Sequence, residues 1–214
     1  MAKGVTVPAI VEAGFTVLAD RGLDGLTMRL VADQLGVRAP AIYWHLASKA
    51  DLLDEMATAM WRDILQSPGI ADAPDAEAGL TRFAHAIRTT VLRYRDGAKL
   101  FAGTTLTDVN LLRQQEVGLA TMLAQGFDVR GAVHATSLVY TFTVGFTIEE
   151  QAVAQMRAHG DARYTLEARD ARLDAEHFPL TAEAGRTLFG DQDARFSELL
   201  AAIVTAALSF RSAR

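Results

Sequence analysis

The sequence predicts an all-α protein with a small N-terminal head of three helices and a larger C-terminal helical domain. Apolar residues recur at helical spacing along nearly the whole chain, and no stretch keeps the two-residue alternation of a β-strand. Half of the 214 residues are apolar, which is enough for a buried core. A segment rich in Ala, Asp, Pro and Gly at 68–79 separates two parts. We therefore expect domains at 1–50 and 68–214, joined by a connecting helix at 51–67.

Four helices are predicted in the head and the connecting segment from capping and turn residues. Thr27 and Ser48 are good N-caps, and Asp51 stands where it completes a capping box with Ser48. Pro8 and Pro40 suit the first turn of a helix, where the missing N–H costs nothing. The predicted spans are about 8–19, 27–35, 40–46 and 48–67.

Five helices are predicted in the C-terminal part, at about 78–94, 107–124, 128–156, 181–189 and 193–210, with a charged loop at 157–178. The segment 138–148 is apolar or small on every face, so we expect it to be buried all round. The last helix carries one apolar stripe that needs either the chain's own core or a second copy of the chain. The stripe consists of Phe196, Leu199, Leu200, Ile203, Val204, Ala207 and Leu208.

Composition and charge limit the function classes. The chain has no cysteine, which excludes disulfides and thiol chemistry and favours a cytoplasmic location. No apolar run is long enough to span a bilayer, and Met1 to Pro8 does not resemble a signal peptide. The net charge is −5, yet residues 1–50 hold five Lys or Arg and four Asp or Glu. A weakly basic head on an acidic body suits an approach to phosphates.

Motifs for catalysis are missing from the sequence. There is no Ser/His/Asp constellation, no pair of carboxylates on one helix face, no metal-spaced His cluster and no Gly-rich phosphate loop. We therefore expect neither an enzyme nor a bound metal or cofactor.

The segment 26–46 has the pattern of a helix-turn-helix. Gly36 permits the tight turn, and Val37 and Ile42 fill the angle between the two helices. An ordinary helical corner would show the same pattern. Two large aromatic residues, Tyr43 and Trp44, on a short outer helix favour contact with sugar and phosphate instead.

These residues resemble the head of the tetracycline-repressor (TetR) family. The resemblance is carried by residues 25–27, 31–32, 35–37, 40–45, 49 and 52–53. It implies phosphate contacts from Thr27, Tyr43, Trp44 and Lys49. It implies major-groove contacts from Met28, Arg29, Ala39, Pro40, Ala41 and His45. Arg29 is the best base reader among them, since a guanidinium can bridge two acceptors of guanine.

The body is similar to the tetracycline-repressor branch of the family, at residues 95–99, 103–104, 125–127, 142–145 and 149–151. The resemblance implies a ligand pocket, but its chemistry differs. Phe101 stands where that branch has the His that holds a drug-bound magnesium, and Phe cannot ligate a hard cation. We expect an apolar or aromatic ligand rather than magnesium-tetracycline. The implied pocket residues are Leu65, Phe83, Ile87, Phe101, Thr104, Thr105, Val117, Thr141 and Glu149, some of which could instead simply fill the core.

The resemblance also implies a mechanism. Two copies would dimerise through a four-helix bundle made of residues 128–156 and 193–210, and their heads would read a palindromic operator. A small-molecule inducer would then release the repressor from its operator DNA. A transcriptional activator, or a regulator that does not depend on a ligand, would have the same head.

Overall fold

The chain folds into eleven α-helices and one 3-10 turn (η1) within residues 5–174 and 176–212, the part that this computed structural model describes. No strand occurs in those ranges, so the all-α class is confirmed. The helices are α1 (Val7–Gly25), α2 (Met28–Gln34), α3 (Ala39–Tyr43), α4 (Lys49–Leu65), α5 (Ala76–Leu92), α6 (Gly97–Phe101), α7 (Val109–Ala124), α8 (Val129–Ala158), α9 (Leu166–Asp170), α10 (Pro179–Leu188) and α11 (Gln192–Leu208), with η1 at Ala162–Tyr164.

Polar N-caps begin most of these helices. The Thr27 side chain accepts a hydrogen bond from the Leu30 N–H, and Ser48 and Asp51 form the predicted capping box. Helices α1, α5, α7, α8, α9 and α11 also begin at a side-chain cap, at Thr6, Asp75, Asp108, Asp128, Thr165 and Asp191. Each cap satisfies a backbone N–H that the first turn leaves free, so these starts can be predicted locally.

Two glycines with positive φ shape the head. Gly22, at φ 70° and ψ 177°, interrupts α1 before its last residues. Gly36, at φ 69°, turns the chain between α2 and α3, and the Val37 N–H donates to the Ala32 carbonyl at 3.0 Å. A side chain at either position would be strained. Ala32 and Ile42 are fully buried, so the helix-turn-helix packs as predicted.

Two apolar cores hold the chain together. The first begins in the head with Ile10 and Leu18, follows α4 and ends at Phe101 and Val144. The second lies among α5, α8 and α11 around Val139 and other residues. Because the first core is continuous from the head into the body, side chains at its far end are linked to the head by close packing.

The apolar stripe of α11 packs mainly into the chain's own core. Phe196, Leu200 and Val204 are at most 3% exposed, whereas Leu199 is 39% exposed. The prediction that the middle of α8 is buried all round is wrong for the single chain. Thr141 and Gly145, which are exposed, belong to a stripe of every fourth residue that also holds Ser137 and Glu149. Because these side chains are mostly small, the sequence pattern predicted that this face of α8 is buried.

Short helices in segments expected to be loops were not predicted. Helix α6 occupies residues that fall between two predicted helices, and α9 and η1 lie in the segment 157–178. Each has five residues or fewer, too few to show a helical period of apolar residues. Residues 1–4 of the segment tested above as a signal peptide lie outside the described ranges. No helix within those ranges is long and apolar enough to cross a bilayer.

Candidate functional site

The outer surface of the helix-turn-helix presents most of the predicted DNA contacts. Trp44 is 89% exposed and Tyr43 49% exposed, and Arg29 on α2 is also exposed. His45, Pro40 and Thr27 are exposed, while Ala39 and Ala41 are half-buried. The side chains of Arg29 and His45 make no hydrogen bond within residues 5–174 and 176–212. No internal partner therefore competes with the DNA contacts predicted for them.

Met28 does not belong to this surface. Its side chain is 5% exposed and is part of the first core, so the predicted groove contact from Met28 is wrong. Met28 is the first residue of α2, directly after the Thr27 cap, and this position turns the side chain inward. Its neighbour Arg29 lies about 100° further around α2 and is exposed.

Lys49 has a role inside the head as well as a predicted one toward DNA. Its Nζ donates to the Leu23 carbonyl at 3.0 Å, and the side chain is half-buried. The bond ties the start of α4 to the last turn of α1, after the interruption at Gly22. An ammonium group has three donors, so two remain for a phosphate.

An aromatic cluster marks the predicted ligand pocket. The Trp61 ring lies 4.8 Å from Phe101, 5.9 Å from Tyr140 and 6.0 Å from Phe83, measured between ring centroids. Phe101 is 1% exposed, and Ile87, in the same core, is fully buried. Phe101, Phe83 and Ile87 were predicted here from the resemblance.

Trp61 and Tyr140 belong to the same cluster but were not among the residues predicted for the pocket. Trp61 lies one helical turn before Leu65 on α4, and that spacing is the signal that could have found it. Burial raises the pKa of Tyr140, which keeps its phenol neutral. Tyr140 therefore offers a neutral hydroxyl at the edge of an apolar cluster.

Three predicted pocket residues do not face this cluster within the single chain. Val117 on α7 is 67% exposed, and Thr141 and Glu149 lie on the exposed stripe of α8. On the same helix, Val144 and Tyr140 pack against the first core instead. Successive side chains of a helix differ in direction by about 100°. An assignment based on sequence position can therefore select a residue one position away from the one that faces the cluster.

The loop after α6 is hydrogen-bonded to α4 at three successive turns. The Thr105 N–H donates to Asp54 at 2.8 Å, and the Thr107 N–H donates to the Thr58 hydroxyl at 3.1 Å. One turn further on, Arg62 Nε donates to Asp108 at 2.8 Å.

The ends of this loop are also fixed. The Asn110 backbone N–H and the Arg62 guanidinium hold the pKa of Asp108 below its ordinary value. Thr104, predicted as a ligand contact, donates its hydroxyl to the Phe101 carbonyl at 3.1 Å, while Thr105 is exposed. The segment that follows Phe101 is therefore attached along one face of α4.

The other end of α6 contacts the head directly. Asp96, in the left-handed region at φ 54°, accepts a hydrogen bond from the Leu23 N–H at 2.9 Å. Arg95 donates to the Asp20 carbonyl at 2.9 Å. Gly22 leaves the room for this contact, since a Cβ there would lie 2.9 Å from an Asp96 carboxylate oxygen.

Gln151 on α8 holds the backbone from which this contact projects. Its Nε2 donates to the Val91 and Tyr94 carbonyls at 3.2 and 2.9 Å, and its Oε1 accepts from the Ala98 N–H at 3.0 Å. The side chain is buried. One amide thus fixes the connection between α5 and α6.

No group of three or more His, Cys, Asp or Glu side chains suited to a metal occurs in the described part of the chain. The geometry instead combines an exposed helix-turn-helix, an apolar aromatic cluster and hydrogen-bonded connections between them. A family model described as "Bacterial regulatory proteins, tetR family" matches residues 10–56, and one described as "Tetracyclin repressor-like, C-terminal domain" matches residues 72–206. The chain belongs to the TetR family.

Individual relatives agree with this assignment. The chain is 33% identical to the class C tetracycline repressor protein of Escherichia coli over 199 residues, 92% of this chain and 87% of that protein. It is 36% identical to the class G repressor of Vibrio anguillarum over 143 residues, 67% of this chain and 68% of that protein. The match to the E. coli class D repressor spans 65% of that repressor's length.

Solved structures share the whole fold. A possible TetR family transcriptional regulator from Streptomyces coelicolor A3(2) superimposes with a TM-score of 0.81 and 32% identity, over 96% of this chain and 100% of that one. TetR from Acinetobacter baumannii AYE gives a TM-score of 0.74 and 29% identity, over 98% and 100% of the two chains. This TetR-family chain is a transcriptional regulator with a DNA-binding and a ligand-binding domain, and not an enzyme.

Proposed function

We propose that this TetR-family protein is a homodimeric repressor that leaves a palindromic operator when an apolar or aromatic small molecule enters the Trp61 cluster. The observation that supports this most directly is the hydrogen-bonded connection from Phe101, through the loop 102–108, to α4. A ligand controls DNA binding only if it binds the two states of the protein with different affinity. A cluster whose packing continues into the connecting helix would provide such a difference, because a ligand that displaces its rings also displaces residues bonded to α4.

The proposed coupling has two routes. A ligand in the cluster must displace packed rings, and Phe101 stands at the end of α6. Its movement would shift the loop bonded to Asp54, Thr58 and Arg62 on α4, which enters the head. The same movement would pull on Asp96 at the other end of α6. Asp96 accepts a hydrogen bond from the Leu23 N–H in the last turn of α1. Both routes change the position of the recognition helix α3, and a coupling free energy of about 1–3 kcal/mol is typical of such switches.

The dimer is proposed to form through α8 and α11. Thr141 and Gly145 on α8 leave an exposed face of small side chains on which a second helix can pack closely. On α11, the exposed Leu199 and Ala202 lie beside the buried stripe. A two-fold axis through these faces would build a four-helix bundle and set the two heads on one side.

The ligand is proposed not to be magnesium-tetracycline. We expect calorimetric titration with tetracycline and Mg²⁺ to show no micromolar binding, because Phe101 offers no metal ligand and its neighbours are apolar. TetR(class A), whose structure was solved in complex with 5a,6-anhydrotetracycline and magnesium, is the positive control under the same conditions. Micromolar binding by this chain would contradict the proposal.

DNA recognition is tested by comparing two cationic residues of the head. On an operator selected from random DNA, Arg29→Ala is expected to lose about 1–3 kcal/mol of discrimination at one base pair, because its guanidinium reads a base edge. Lys49→Ala is expected to weaken binding to all sequences alike, because it contacts phosphate. Binding curves over matched and mismatched operators measure both effects.

Circular dichroism must show that both variants fold, since Lys49 also bonds the Leu23 carbonyl. If both variants lose sequence preference equally, or neither changes DNA binding, Arg29 and Lys49 do not have the roles proposed for them.

A further inference from the structure

A groove separate from the aromatic cluster runs between α1 and α4 and ends at the body. Its volume is about 790 Å³, within the range of small-molecule sites. Val7, Val11 and Phe15 line one wall, Ala59 lies on the other, and Tyr94 closes one end. None of these residues belongs to the Trp61 cluster, so the groove and the proposed inducer pocket share no lining side chain.

The groove lies beside a tightly packed line of contact between the two helices. A Cβ on Gly14 would lie 2.9 Å from the Met56 sulfur, so α1 and α4 touch closely there. The α1 residues that line the groove include Val7, Val11 and Phe15, which are spaced one helical turn apart. They lie next to the buried helix face that contains Gly14. The open space is therefore bordered by rigid packing and not by a loose loop.

The charged groups of the groove are unbalanced. Glu12 and Glu55 line it, and neither carboxylate makes an ion pair or a hydrogen bond within the part of the chain that the structure describes. The cation of the groove, Arg62, donates to Asp108 at 2.8 Å. Two carboxylates thus line a mostly apolar groove without a cationic partner of their own, because its one lining cation is paired with Asp108.

The closed end adds a second attraction for a positive charge. The Phe15 and Tyr94 rings stack with centroids 4.2 Å apart and an angle of 25° between their planes. Each ring covers one face of the other and leaves its second face free. A free aromatic face attracts cations through the ring quadrupole and also packs against apolar groups. The groove therefore combines negative charge, aromatic surface and apolar walls.

We propose that this groove is a second ligand site, which binds a lipophilic cation: an organic ammonium or phosphonium ion with an aromatic or aliphatic body. The charge lies between Glu12 and Glu55, and the body lies along Val11, Phe15 and Tyr94. An occupant contacts the head, α4 and the body together.

Two ions of equal shape and opposite charge test the proposal on the full chain. Calorimetric titration is expected to show that tetraphenylphosphonium binds at least about tenfold more tightly than tetraphenylborate, because only the cation matches the two carboxylates. Added salt should reduce this difference, since the groove is open to solvent. Equal binding of the two ions would overturn the proposal.

Variants locate the site. The double change Glu12→Gln and Glu55→Gln is expected to weaken tetraphenylphosphonium binding about tenfold or more. The matched control, Glu116→Gln with Glu183→Gln, removes two exposed carboxylates on α7 and α10 and should leave binding unchanged. Phe83→Ala, in the Trp61 cluster, should keep the preference for tetraphenylphosphonium over tetraphenylborate, because that preference arises from the two carboxylates of the groove. Loss of binding in Phe83→Ala but not in the double variant would overturn the proposal, and so would an equal loss in the control.

Discussion

Glu150→Ala is expected to lower the free energy of unfolding by about 1–3 kcal/mol, because it removes two hydrogen bonds to a charged group. Arg88 donates to Glu150 through two nitrogens at 2.9 and 2.6 Å, and the two side chains are only 11% and 15% exposed. The Arg88 guanidinium also lies 4.8 Å from the centre of the Phe196 ring. Removing Glu150 would leave this largely enclosed cation with Asp193 alone, whose carboxylate is exposed to solvent.

The same arginine provides the control. Asp193 accepts from Arg88 at 2.6 Å, but its side chain is 84% exposed. Asp193→Ala is expected to cost at most about 1 kcal/mol, as exposed ion pairs do. Urea unfolding measures both changes, at one protomer concentration because association stabilises the folded state. Equal losses for the two variants would show that burial of Glu150 does not determine the strength of the pair.

Gln151→Leu is expected to lower the free energy of unfolding by about 3 kcal/mol or more. The change keeps the size of the side chain but removes the hydrogen-bond partner of the Ala98 N–H and of two carbonyls, those of Val91 and Tyr94. A buried polar group left without a partner costs about 1–3 kcal/mol. These backbone groups lead into Arg95 and Asp96, so the variant should also loosen the contact between α6 and the head.

Gln155→Leu is the matched control for this change. Gln155 lies one turn further along α8, is half-buried, and its side chain makes no hydrogen bond among the described residues. Its replacement is expected to change the free energy of unfolding by about 0.5 kcal/mol or less. Urea unfolding compares the two variants, and a loss in Gln151→Leu no larger than in Gln155→Leu would contradict the role assigned to the buried amide.

Structural features that depend on contacts within about one helical turn could be predicted from the sequence. The caps at Thr27 and Ser48 and the turn at Gly36 depend on neighbours no more than five positions away. The partners of Gln151 lie 53–60 positions away, and those of Asp96 lie 73 positions away. No local pattern marks such partners, because loop closure and packing bring them together only in the folded chain.

The predicted site shows the same division. Arg29, Tyr43 and Trp44 lie where the helix-turn-helix pattern places them, whereas Met28, one position before Arg29, is turned into the core. Thr141 likewise lies on an exposed face of α8. Tyr140, one position before it, packs against the first core. A site residue assigned by sequence position falls on the correct helix. Which side chain of that helix faces the site depends on how the helix is rotated against its neighbours.

By itself, the sequence determined the all-α class, most helix starts, the helix-turn-helix turn and the resemblance to the TetR family. These features follow from backbone capping, glycine conformation and apolar periodicity, all of which are local. The tertiary structure alone decided that Trp61 and Tyr140 complete the aromatic cluster, that Arg88 pairs with Glu150, and that α6 bonds to both the head and α4. Each of these depends on distances between residues far apart in sequence, which are set by the packing of whole helices.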